Sequence, residues 1–97
     1  MIYNIEQKII DIIAYIGDLK PESIKLNSLI HQDLNIEDLD EIDMIMRCEN
    51  AFNITITDKD YINKVNTVQD LINLIKEKVK NDWKSRKIWK NFFRTVA

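Results

Sequence analysis

The sequence predicts an all-α fold: a four-helix bundle with a long first loop, a short third helix and an extended basic C-terminal helix or tail. Three observations carry this expectation. The 97 residues include a single Gly and a single Pro, and hairpin-rich β folds draw their turns from those two residues. Apolar residues recur at three- and four-residue steps, the period of an amphipathic helix. Capping residues stand just ahead of the periodic segments. At 45% hydrophobic and 31% charged, the composition is that of one soluble globular domain. Eighteen isoleucines exclude a disordered chain.

The first helix is carried by Ile5, Ile9, Ile12, Ile16 and Leu19, with Asn4 as its N-cap, Gln7 three residues on, and Gly17 as its stop. Residues 18–37 show no sustained period and contain Pro21. A loop of that length is functional or packed by its own side chains, here Leu26, Leu29, Ile30 and Leu34. A second helix is expected from Asp38 to about Phe52, with Leu39, Ile42, Ile45, Met46 and Phe52 facing inward. Glu37, Asp38, Asp40 and Glu41 crowd its first turn, where the helix dipole favours anions. Phe52, Ile54 and Ile56 alternate like a strand but have no partner, so they read as an extended connection. Thr57 with Asp60 opens a helix of about two turns. Thr67 with Asp70 opens the last, carried by Val68, Leu71, Ile72, Ile75 and Val79.

Charge is unevenly spread. Residues 1–75 hold fourteen acidic and six basic side chains, and residues 76–97 hold two and eight. The acids crowd into 33–60, nine against Arg47 and Lys59. Such a body repels nucleic acid, which is not expected as a partner, and attracts basic protein surfaces. One cysteine, Cys48, cannot form an internal disulfide. No apolar run is long enough to span a membrane and no signal peptide is visible, so the expected location is cytoplasmic and the expected state a monomer.

The stretch Asp33-Leu34-Asn35-Ile36-Glu37-Asp38-Leu39-Asp40-Glu41-Ile42-Asp43-Met44-Ile45-Met46, with Glu49 and Phe52 following, resembles the central motif of acyl carrier proteins. That motif typically reads Asp-Leu-Gly-x-Asp-Ser-Leu-Asp-x-x-Glu-Leu-x-Met, with Glu and Phe at the same spacing. Ile56, Asp58 and the run Thr67-Val68-Gln69-Asp70-Leu71-Ile72 resemble the family's entries to helices three and four. The resemblance covers residues 1–79 as a carrier-like domain, leaving 80–97 as a basic aromatic extension. It implies a four-helix carrier fold, a place in fatty-acid or related biosynthesis, and no enzymatic activity of its own.

The resemblance also implies where the chemistry should sit. The family's serine, esterified by 4′-phosphopantetheine, is matched here by Asp38, which has no hydroxyl to modify. No cofactor is therefore expected unless the chain is a genuine carrier. Asn35 stands where the family prefers Gly, and Asn tolerates left-handed backbone. Glu37, Asp40, Asp43 and Glu49 match positions that dock basic patches of carrier-reading enzymes, though a solvated face is the plainer reading. Met44 and Met46 read as core, and Met46, Ile56 and Ile62 match cavity-lining positions, or simply fill the core. For Asp38 itself, the plain reading is a cap paired with Glu41. The function expected is a carrier-like domain acting through protein contacts as adaptor, regulator or decoy. The alternative is a genuine acyl or peptidyl carrier, in a Ser-to-Asp form or modified at another serine.

No metal site is expected. Asp33, Asn35, Glu37 and Glu41 fit four positions of a calcium loop, but Asp38 and Met44 replace its turn Gly and bidentate Glu. His31 is the only histidine and has no Cys at ligand spacing. In the extension, Trp83, Trp89, Phe92 and Phe93 are interleaved with cations. That pattern suits docking on the acidic body, a peripheral contact with an anionic membrane, or a partner's groove.

Overall fold

The computed structural model describes residues 4–81, and the expected all-α bundle is what it shows. Four α-helices occur among those residues: α1 (Ile5–Gly17), α2 (Asp38–Phe52), α3 (Asp58–Lys64) and α4, described over 68–81. A single 3₁₀ turn, Pro21–Ser23, interrupts the first loop. Its proline occupies the first turn, where the missing N–H has no bond to lose.

Local chemistry sets the helix ends. The Asn4 side chain accepts from the Gln7 N–H at 3.0 Å, and Thr57 Oγ1 accepts from the Asp60 N–H at 3.1 Å. At the start of α4 the capping is reciprocal. Thr67 Oγ1 accepts from Asp70 N–H at 3.1 Å, while Asp70 Oδ2 accepts from the N–H groups of Thr67 and Asn66, each at 3.0 Å. Those backbone donors, Thr67 first, hold the Asp70 carboxyl below its ordinary range.

Gly17 needs correction as a stop. It is the last helical residue, and the left-handed residue is Asp18, with φ 53°. A Cβ at Gly17 would lie 3.0 Å from Leu19 Cδ1, the end of a flexible side chain that can shift. Asn53 closes α2 in the same left-handed way, and Asn35 takes φ 57°, as its amide side chain allows.

The core combines Ile9 and Ile13 of α1, Ile30 and Ile36 of the loop, Met44 and Cys48 of α2, and Val68, Leu71, Ile72 and Ile75 of α4. Ile16 and Leu19, expected on the α1 stripe, pack at its margin, and Ile13 takes a central place. α1 packs against α2 and the 3₁₀ turn.

The long loop is ordered by α4. Ile30 N–H donates to the Asn66 carbonyl, and Val68 N–H to that of Ser28, both at 3.0 Å, around a bridge pairing Leu29 with Thr67. Gln69 N–H adds a bond to Leu26 O at 2.9 Å. Ile24, Ser28, Ile30, Leu34 and Ile36 are buried, whereas Leu26 is exposed and contributes its carbonyl rather than its side chain. The stretch from Ile54 to Thr57 has no regular secondary structure, with Ile56 buried.

Candidate functional site

The orientation of α2 differs in part from the expected one: Met44 and Phe52 are buried as expected, but three other expected core residues are not. Leu39, Ile42 and Met46 are 82%, 55% and 56% exposed, and the inward residues are Met44, Cys48 and Phe52, with Ile45 partly covered. At 3.6 residues per turn, positions 44, 48 and 52 share one side, and 39, 42 and 46 share the opposite side. Both strips are apolar, and the longer aliphatic side chains lie on the outer one. Cys48 is wholly buried, and that burial, with Glu49 beside it, pushes its thiol up to about 12, so it is an inert packing group.

The exposed part of α2 also carries acidic side chains. Glu37, Asp38, Asp40 and Asp43 are all exposed. Asp43 accepts from Arg47 Nε at 3.1 Å, one helical turn on, so part of its charge is already matched. Glu49 faces its own chain instead: its carboxylate accepts from the Ile56 N–H at 2.8 Å and ties α2 to the following segment. Of the residues expected to line a cavity, Ile56 is buried, Met46 lies on the outer strip and Ile62 of α3 is 76% exposed.

The capping box expected of Asp38 with Glu41 does not form. The N-cap is Glu37, which makes no side-chain cap bond, and Asp38 is the first helical residue. Glu41 turns the other way. Its Oε2 accepts from Tyr61 Oη of α3 at 2.5 Å and lies 2.8 Å from His31 Nε2 of the loop. Burial first, then this carboxylate, push the Tyr61 hydroxyl far above its ordinary range, so it stays a donor.

Glu41 thus joins three elements, and His31, which stands by itself in the sequence, is one of its partners. Ligating atoms of His31, Asp38 and Glu41 all lie within 4.8 Å of one another. The cleft beside them, about 530 Å³, is lined by His31 and by residues 35–40. Their spacing of seven and then three carries no recognised motif; only the loop's path over α4 brings His31 to α2. The aromatic residues Trp83, Trp89, Phe92 and Phe93 lie outside the described residues.

No family model matches the chain. Individual proteins do. An acyl carrier protein of Buchnera aphidicola subsp. Schizaphis graminum is 42% identical over 77 residues, which is 79% of this chain and 96% of that protein. One from Chloroherpeton thalassium is 40% identical over 77 residues, 79% of this chain and 95% of its own length. One from Rickettsia bellii (strain RML369-C) is 35% identical over 74 residues, covering 76% and 85%.

Proposed function

The chain belongs to the acyl carrier protein family, and from that premise we propose that it works with the enzymes of acyl or peptidyl transfer, in fatty-acid, polyketide or related biosynthesis, offering them the exposed face of α2. One observation carries the reading. Three large apolar side chains, Leu39, Ile42 and Met46, stand in solvent on one helical strip, and Glu37, Asp40 and Asp43 are exposed as well. An apolar strip accompanied mostly by acids, with Arg47 paired to Asp43, suits a partner that brings apolar contacts together with basic side chains. Members of this family are carriers rather than catalysts.

Two readings of what passes at this face follow. Kinship over nearly the whole length of the relatives supports a carrier, which holds its cargo on the thiol of a 4′-phosphopantetheine arm. The residues at the family's attachment position do not fit that arm. Asp38 is an exposed carboxylate, and a phosphodiester needs a hydroxyl oxygen. Among the described serines, Ser28 is buried with its Oγ accepting from Lys25 N–H at 3.0 Å, and the Ser23 hydroxyl donates to the Lys20 carbonyl at 2.7 Å. Asp38 therefore supports the second reading, in which the protein acts by contact alone, as an adaptor, regulator or decoy.

Intact-mass measurement after incubation with a phosphopantetheinyl transferase and coenzyme A separates them. A gain of the arm's mass supports the carrier, and an unchanged mass the contact protein. The shared claim has its own test. Asp40→Lys with Asp43→Lys should weaken binding to the transferase at least tenfold at low salt, with the helical circular dichroism intact. Unchanged affinity would leave α2's acids as an ordinary solvated face.

A further inference from the structure

We propose that His31, Asp38 and Glu41 form a binding site for a divalent transition-metal ion of the zinc class. The site takes one imidazole from the first loop and two carboxylates from the first turn of α2. Asp38 and Glu41 are three residues apart and so lie on one side of the helix. His31 is held opposite them by its neighbours, since Ile30 is buried and its N–H bonds to Asn66 across the bridge to α4.

The geometry is close to what such an ion needs. Zinc takes nitrogen at ~2.0–2.1 Å and carboxylate oxygen at ~2.0–2.2 Å, so tetrahedral donors stand about 3.5 Å apart. The three donors lie within 4.8 Å, and small rotations of exposed side chains close the difference. The His31 side chain is about half exposed with its Nε2 2.8 Å from Glu41, and the Asp38 side chain makes no hydrogen bond or ion pair among the described residues, so Asp38 can turn toward the pair. Glu41 is the fixed member. Tyr61 Oη donates to its Oε2 from α3, as outer partners of metal-bound carboxylates do. The cleft along residues 35–40 leaves a fourth position open to water.

The donor set selects among cations. Imidazole with carboxylate suits zinc, copper, nickel and their neighbours, whereas magnesium and calcium prefer oxygen alone. Two carboxylates with a neutral imidazole carry −2, which the ion cancels, and the surrounding acids raise the local cation concentration. The positive end of the α2 dipole works against a cation, but its effect is small and screened. Asp38, which removes the hydroxyl of the carrier family, supplies the donor that completes the triad. The bound ion would clamp the first loop to α2 at the site of the family's chemistry, whichever reading of the protein's function holds.

His31 is the only histidine of the chain, so its imidazole resonances report on this site alone. Tag-free protein titrated with zinc chloride at neutral pH should show those resonances shifting to saturation at one ion per chain, and not shifting with magnesium. Calorimetry on the same titration should show affinity falling at least tenfold in His31→Ala and in Asp38→Asn. Glu22→Gln, an exposed acid in the 3₁₀ turn, should leave it unchanged. Imidazole resonances that stay in place at tenfold excess zinc would overturn the proposal. So would affinity retained in His31→Ala, which means diffuse binding by surface acids.

Discussion

At Glu41 one carboxylate oxygen serves two other elements, accepting from Tyr61 of α3 and facing His31 of the loop. The Glu41 side chain is mostly covered, and a hydrogen bond to a charged group contributes about 1.5–3 kcal/mol. Tyr61→Phe keeps the ring and removes only this donor. It should therefore lower the unfolding free energy by about 1–3 kcal/mol, read from the urea midpoint at unchanged slope. Loss within a few tenths would mean the carboxylate is satisfied by water instead. This junction was not legible in the sequence. Tyr61 lies twenty positions beyond Glu41, and His31 lies in a stretch without periodicity, so no local pattern joins them. Asn35 was legible, because its left-handed backbone is a property of the residue type itself.

Three helix starts were readable, since caps act over three residues, whereas the Gly17 stop of α1 and the Asp38–Glu41 box of α2 were not borne out. Asn4, Thr57 and Thr67 each do what their residue type implies. Asp70 shows the pH consequence. Its folded pKa lies below the unfolded value, so its contribution to stability is present above the unfolded pKa and is lost as pH falls through the folded one. Asp70→Ala should cost about 0.5–2 kcal/mol at pH 7. That difference should shrink as pH drops below ~4, the ordinary carboxylate range. A difference constant down to pH 2 would show the loss to be packing rather than charge. The rotation of α2 was not readable, because the helix has an apolar strip on each of two opposite sides and packing against α1 and the rest of the core chooses between them. Met44→Ala should accordingly cost about 2–5 kcal/mol. Leu39→Ser should stay within ~0.5 kcal/mol, despite leucine's greater hydrophobicity. Equal losses in thermal or urea unfolding would mean that both strips are covered.

Across the whole molecule, the helical plan followed from composition, period and caps, while the order of the long loop did not. That loop is held by backbone bonds from Ile30, Val68 and Gln69, and such bonds leave no mark on side-chain identity. The loop and the buried strip of α2 together leave the outer strip and its acids in solvent, with Asp38 at their head. No helix among the described residues is long and apolar enough to cross a membrane. The central claim is that this face is one that carrier-reading enzymes recognise, with a carboxylate standing where the family has a hydroxyl. Asp38→Ser tests it most directly, because the side chain is exposed and gives up no hydrogen bond on replacement. Incubated with a phosphopantetheinyl transferase and coenzyme A, the variant should gain the mass of one arm on the peptide that contains residue 38. An unmodified variant of unchanged helicity would contradict the claim, since the enzyme would then fail to read the face even with its hydroxyl restored.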